Sequence, residues 1–155
     1  MNTRAEIALV AFEKRFNDFL GLCDDLEQRG VWDFDRLGYM SAYFESDLMA
    51  VTLQTMSADG VFERCEAEVL SDMFSNTYTT QDLREMYGSL SNVIDDYANG
   101  EATEALDELR AIDPALCEEY RRLILDACEV VAAADGVAEG KEREVINRLR
   151  YALNS

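Results

Sequence analysis

The chain has 155 residues, 48% of them hydrophobic, which is enough to bury one substantial core. It carries 14 Lys and Arg against 32 Asp and Glu, a formal net charge of −18 at pH 7. Because this charge repels phosphate backbones and anionic lipid headgroups, we expect no nucleic-acid binding and no direct membrane insertion. Cations and basic proteins are the expected partners.

The sequence contains no histidine. Its absence excludes Ser/His/Asp and Cys/His nucleophile pairs, histidine-ligated zinc and haem with a histidine axial ligand. A metal-dependent hydrolase built on carboxylates is the least favoured function, because no nucleophile or phosphate-binding loop is visible. We therefore expect a protein that is not an enzyme.

The cysteines indicate a reducing compartment. Cys23, Cys65, Cys117 and Cys128 are widely separated and form no CxxC pair, so they predict small core residues and neither a zinc site nor a redox motif. Near the N-terminus, the apolar run over residues 7–12 is ended by Glu13 and Lys14, far short of a signal or membrane segment. We expect a cytoplasmic protein.

Helical patterns follow one another along the chain. Apolar side chains recur at spacings of three and four over residues 3–28, 81–98 and 114–134, the signature of one buried helix face. Pro114 after Asp113 is typical of a helix start. Shorter helices fit residues 38–57, 64–75, 102–111 and 140–153. The sequence predicts an all-α, single-domain bundle of about seven helices over residues 1–155.

Five aromatic side chains are concentrated before and inside the second predicted helix. They are Trp32, Phe34, Tyr39, Tyr43 and Phe44. At helical spacing such residues usually form core, whereas an exposed aromatic patch would indicate a partner surface. We expect the core location and keep the partner surface as the alternative.

An internal repeat is the most informative feature of the sequence. Residues 58–70 align without gaps to residues 134–146, at an offset of 76, and eight of the thirteen positions are identical. Each copy begins with Ala-Asp-Gly and carries glutamates four, seven and nine residues after the aspartate. Because each copy connects two helical patterns, the sequence predicts two helical hairpins of similar construction.

The repeated motif has two interpretations. A glycine after the aspartate can tighten the turn, so that carboxylates from Asp59, Glu63 and Glu66 in one copy could supply oxygens to a divalent cation such as calcium. The equivalent residues in the other copy are Asp135, Glu139 and Glu142. Alternatively, these glutamates are favoured only because acidic residues in the first turn interact well with the helix dipole. Sequence reasoning leaves both interpretations open.

The duplicated Ala-Asp-Gly-x-(hydrophobic)-x-x-x-Glu pattern resembles the TerB-like domain, named for tellurite-resistance protein B and found also in a membrane-anchored J-domain co-chaperone. The resemblance implies a seven-helix cytoplasmic bundle associated with bacterial stress response, with an acidic cluster suspected of binding divalent metal. The family's Asp and Glu correspond to Asp59 and Glu66 and to Asp135 and Glu142. Where the family often has Ser, this chain has Glu63 and Glu139, which adds charge to the motif.

The sequence therefore leaves two alternative functions open. The first is a non-enzymatic TerB-like module that binds divalent metal through both motif copies and associates with stress-response proteins. The second is an adaptor or immunity protein that docks a basic partner. Its docking surface would be the central segment, residues 37–109, which holds 15 acidic side chains and two basic ones. In both cases we expect a protein partner, and the sequence leaves the oligomeric state open.

Overall fold

The computed structural model describes residues 3–56, 61–98 and 104–134, and within these ranges it contains eight α-helices and no strand. The predicted all-α fold is confirmed. The predicted helix over residues 140–153 lies outside the described residues. In chain order the helices are α1 (Thr3–Gln28), α2 (Phe34–Leu37), α3 (Met40–Met56), α4 (Arg64–Phe74), α5 (Thr80–Ser89), α6 (Ser91–Ala98), α7 (Glu104–Ile112) and α8 (Pro114–Ala134).

The two longest helices, α1 and α8, pack against each other in antiparallel orientation. Arg4, at the start of α1, lies 3.8 Å from Glu129 near the end of α8, whereas Arg15 reaches Asp126 at 2.6 Å and Glu119 at 3.3 Å. The apolar face of α1 is buried, as its three- and four-residue spacing predicts.

Helices α3 and α8 pack side by side in parallel orientation. The Tyr120 hydroxyl donates a hydrogen bond to the Asp47 carboxylate, and the Thr55 hydroxyl lies 3.4 Å from the Cys128 thiol. Both contacts join residues 73 apart in sequence. Because this separation is the same at both contacts, the two helices run in the same direction. Consequently α3 and α8 end at the same end of the bundle, and one motif copy follows each of them.

The centre of the core is aromatic. The rings of Phe19, Phe44 and Tyr120 lie with their centroids 5.1–5.5 Å apart, so that α1, α3 and α8 meet at this point. All three side chains are buried. This contact explains why one face of α1, the first helix of the chain, is apolar: the face packs into the centre of the core.

The helix predicted over residues 81–98 is divided in the structure, and this is a correction to the expectation. Backbone dihedrals at Leu90 (φ −102°, ψ 15°) separate α5 from α6. The Leu90 N–H still bonds to the Met86 carbonyl at 2.9 Å, so the break is a kink rather than a loop. It directly follows Gly88-Ser89, and Gly/Ser pairs are frequent sites of helix kinks.

Candidate functional site

The first motif copy is described from its glutamates onward. Glu63 is the N-cap of α4 in extended conformation, and its backbone N–H donates a 2.8 Å hydrogen bond to Oε1 of Glu66. This bond satisfies one of the amide groups that a helix start leaves without an intrahelical partner. The Glu63 side chain is exposed, and its Oε2 lies 3.7 Å from the Cys65 thiol. Asp59 lies outside the described residues.

The second motif copy, with Asp135, Glu139 and Glu142, also lies outside the described residues. Its position in the chain is nevertheless informative, because it begins at Ala134, the last residue of α8. The first copy begins two residues after Met56, the last residue of α3. Since α3 and α8 are parallel, the two helices that precede the copies in the sequence end at the same end of the bundle.

By their sequence, the two motif copies offer carboxylate oxygens. Such ligands suit hard divalent cations, calcium above all. Within the ranges that the structure describes, no group of three or more His, Cys, Asp or Glu side chains has a metal-binding arrangement. Of the six proposed ligands only Glu63 and Glu66 fall inside those ranges, and the hydrogen bond between them agrees with the helix-start interpretation for Glu66.

A second candidate site is a groove of about 510 Å³ between α3, α6 and α7, which we call the α3–α6–α7 groove. Sequence reasoning did not find it. The side chains that matter for its chemistry are Tyr39, Tyr43 and Asp47 on the α3 side, Val93 and Asp96 on α6, and Glu104 on α7. A sequence signal existed, because Asp47 interrupts the apolar face of α3 formed by Phe44, Leu48 and Val51.

The groove is electrostatically negative. Asp47 is only 8% exposed, and Tyr43 is half-buried near Glu104. Burial raises the pKa of Tyr43, and the charges of Glu104 and Asp47 raise it further. Glu104 is also paired with Arg36 at 3.5 Å. Among the described residues that line the groove, none is basic.

The five clustered aromatic residues divide between core and surface. Trp32 and Phe44 are buried, and the Trp32 indole N–H donates to the Gly38 carbonyl at 2.8 Å. Phe34 and Tyr39, by contrast, are 49% and 65% exposed and pack edge-to-face with ring centroids 4.9 Å apart. The core prediction is thus correct for part of the cluster, and the exposed pair stands beside the groove.

The acidic residues around α7 are partly paired within the chain. Arg36 on α2 bonds to Asp33, Glu104 and Glu108, and Arg110 lies 3.3 Å from Asp107. These contacts attach the short helix α2 to α7. Asp95 on α6 is exposed and lies outside the groove lining, whereas the neighbouring Asp96 lines it.

Comparison with known protein families shows to which family the chain belongs. A family model described as "Tellurite resistance protein TerB" matches residues 45–154, which is 110 of the 155 residues and includes both motif copies. The chain belongs to the TerB family. No curated protein and no solved structure matches it. The TerB match begins inside α3, so α1 and α2 precede it. None of the described helices is both long and apolar enough to span a membrane.

Proposed function

We propose that this TerB-family protein is a non-enzymatic cytoplasmic module that binds divalent cations, calcium or a similar metal, through its two acidic motif copies. We propose further that it associates with stress-response proteins of the tellurite-resistance type. The observation that carries the metal proposal is the parallel packing of α3 on α8, because the two helices that precede the copies in the sequence end at the same end of the bundle.

Three further features support the metal site. Each copy supplies an aspartate and two glutamates, so the pair offers six carboxylates, a plausible ligand supply for one or two hard cations. The Glu63 side chain is exposed to solvent, and a carboxylate such as Glu66, with several lone pairs, can accept more than one bond. Neighbouring like charges also repel one another, and a bound cation would relieve that repulsion.

Calorimetric titration of the full chain with calcium chloride at constant ionic strength tests the proposal. We expect saturable binding to the wild-type protein. The double variant Asp59→Asn with Asp135→Asn should bind at least about tenfold more weakly, a difference of about 1.4 kcal/mol. The double variant Asp72→Asn with Asp107→Asn removes the same charge elsewhere and should retain the wild-type affinity. Equal affinities in both double variants, or no saturable binding at millimolar calcium, would contradict the proposal.

A second candidate function is favoured by the α3–α6–α7 groove. In this alternative the protein is an acidic interaction module, such as an adaptor or immunity protein, that docks a basic partner through its central segment, and the motif copies are scaffold. It predicts that charge reversal at Asp95, Asp96, Glu104 and Asp107 abolishes partner binding. Asp59→Asn with Asp135→Asn should leave that binding intact. Co-purification of a partner with each variant separates the two functions, because the metal-dependent module predicts the opposite pattern.

A further inference from the structure

The α3–α6–α7 groove combines two features that are independent of each other. Its described lining carries the carboxylates of Asp47, Asp96 and Glu104 and no basic side chain. Its rim carries Tyr39, which is 65% exposed and packs against the half-exposed ring of Phe34. The first feature attracts a cation, and the second offers an aromatic surface on which a planar cation can stack.

The negative charge of the groove extends to the chain segments that line it. The lining residues fall within residues 37–47 and 90–105, and in the sequence these two segments contain no Lys or Arg. They contain Asp or Glu at six positions. A ligand entering the groove therefore meets a net negative field, which the pairing of Glu104 with Arg36 weakens locally.

Arginine suits this combination better than lysine. A guanidinium group presents its donors in a plane that matches a carboxylate, and it stacks on aromatic rings, whereas a lysine ammonium is a compact, strongly hydrated charge. The apolar lining at Leu37, Leu90 and Val93 favours a ligand that also carries aliphatic side chains. Within this chain, Arg36 already shows the preference of this acidic region for a guanidinium group, because it bonds to Glu104 and Glu108.

We propose that the α3–α6–α7 groove is a docking site for an arginine-bearing segment of a partner protein, with the guanidinium group facing Asp96 and Glu104 and stacking near Tyr39. This inference rests on the second proposed function. It narrows the proposed docking surface from the whole central segment to one groove. It is independent of cation binding at the motif copies.

Adjacent residues of α6 provide a matched pair of variants. Asp96 lines the groove and Asp95 does not, although both carry the same charge on the same helix. The binding of a short fluorescent peptide, in which two arginines each stand beside a leucine, would be followed by fluorescence anisotropy at low salt. We expect Asp96→Lys to weaken binding at least about tenfold. We expect Asp95→Lys to change it less than about threefold, because its charge faces solvent.

Two further measurements complete the test. In NMR spectra of the wild-type chain, the peptide should shift amides of Tyr39, Tyr43 and Asp96 and leave those of the α1–α8 contact unchanged. The same peptide with lysines in place of arginines should bind several-fold more weakly. Equal losses of peptide affinity in Asp95→Lys and Asp96→Lys would contradict docking in the groove and would indicate docking on a broader acidic surface. No binding to the wild-type chain, shifts elsewhere, or equal binding of the lysine peptide would also overturn the inference. Asp59→Asn with Asp135→Asn should not change peptide binding.

Discussion

Asp47 and Tyr120 are two buried polar residues that fix the register of α3 on α8. The Tyr120 side chain is fully buried, and its hydroxyl donates to the Asp47 carboxylate, with the Phe44 carbonyl oxygen 3.4 Å away. A buried carboxylate is tolerated only when donors satisfy it, so this contact specifies one alignment of the two helices. The same alignment makes α3 and α8, which precede the two motif copies in the sequence, stop at one end of the bundle.

Tyr120→Phe should therefore destabilise the protein with almost no change in shape. Removing the hydroxyl takes a donor from a buried carboxylate, and we expect the free energy of unfolding to fall by about 1–3 kcal/mol. Urea denaturation followed by circular dichroism measures it. Tyr39→Phe is the control, because Tyr39 is exposed, and it should be neutral. A Tyr120→Phe protein as stable as the wild type would contradict this role of the contact.

The cysteines differ in their access to solvent, and their reactivity should follow. Cys65 is exposed, whereas Cys23, Cys117 and Cys128 are buried. Burial, together with the nearby charges of Asp24 and Glu27, raises the pKa of the Cys23 thiol to about 12, so this thiol stays protonated and unreactive at mildly alkaline pH. A disulfide reagent should modify Cys65 rapidly in the native protein and all four thiols in denaturant. Rapid native modification of Cys23 would show that α1 does not pack as described.

At the scale of helices, the start of α4 is where the two interpretations of the motif can be separated. Glu66 accepts a hydrogen bond from the Glu63 backbone, and a neutral amide can accept the same bond. Glu66→Gln should keep the free energy of unfolding within about 0.5 kcal/mol of wild type, whereas Glu66→Ala should lose about 1 kcal/mol with the cap. Chemical denaturation measures both.

The calcium affinity of the same variants completes this test. If Glu66 is a ligand as well as a cap, Glu66→Gln should bind calcium more weakly although its stability is unchanged. Glu68→Gln, at an exposed position paired with Arg64, is the control and should retain affinity. Wild-type affinity in Glu66→Gln would assign Glu66 to the helix start alone.

Substitution of glycine by alanine should change the free energy of unfolding in opposite directions inside a helix and between helices. Gly21 lies inside α1, and a Cβ there would meet no atom within 4 Å. Gly21→Ala should raise the free energy of unfolding by about 0.4–1 kcal/mol, because it restricts the unfolded chain. Gly38, between α2 and α3, has φ +75°, so Gly38→Ala should cost about 1–3 kcal/mol. Thermal unfolding measures both, and a stabilising Gly38→Ala would contradict the backbone described here.

Sequence periodicity predicted these helices well where one apolar face is continuous, as in α1 and α8. It also placed the start of α8, where Asp113 caps the helix and Pro114 is its first residue. It missed the kink at Leu90, because the apolar spacing continues through the break although the backbone does not. It could not predict that α3 lies parallel to α8, since periodicity identifies a buried face and not the helix that covers it. The groove was missed for the same reason, because one of its walls comes from α3 and the others from α6 and α7, which are distant from α3 in sequence.

At the scale of the whole molecule, part of the net charge of −18 lines the α3–α6–α7 groove. Helices α3 and α8 stop at one end of the bundle, and in the sequence each of them is followed by one acidic motif copy. Helix α1 lies outside the TerB match but contributes Phe12, Phe16 and Phe19 to the core. We therefore propose that residues 1–155 fold as one unit.

The central claim is that the two motif copies bind a divalent cation at one shared end of the bundle. Paramagnetic broadening by substoichiometric manganese, read from the amide NMR spectrum, tests it most directly. We expect selective loss of signals at the ends of α3 and α8, from Thr55 and Ala133, and at the start of α4. Signals at the opposite end, from Glu27, Met40 and Leu116, should persist, because the rise of α8 from Leu116 to Ala133 places the two ends about 25 Å apart. Uniform broadening along the bundle, or broadening confined to the acidic groove, would contradict the claim.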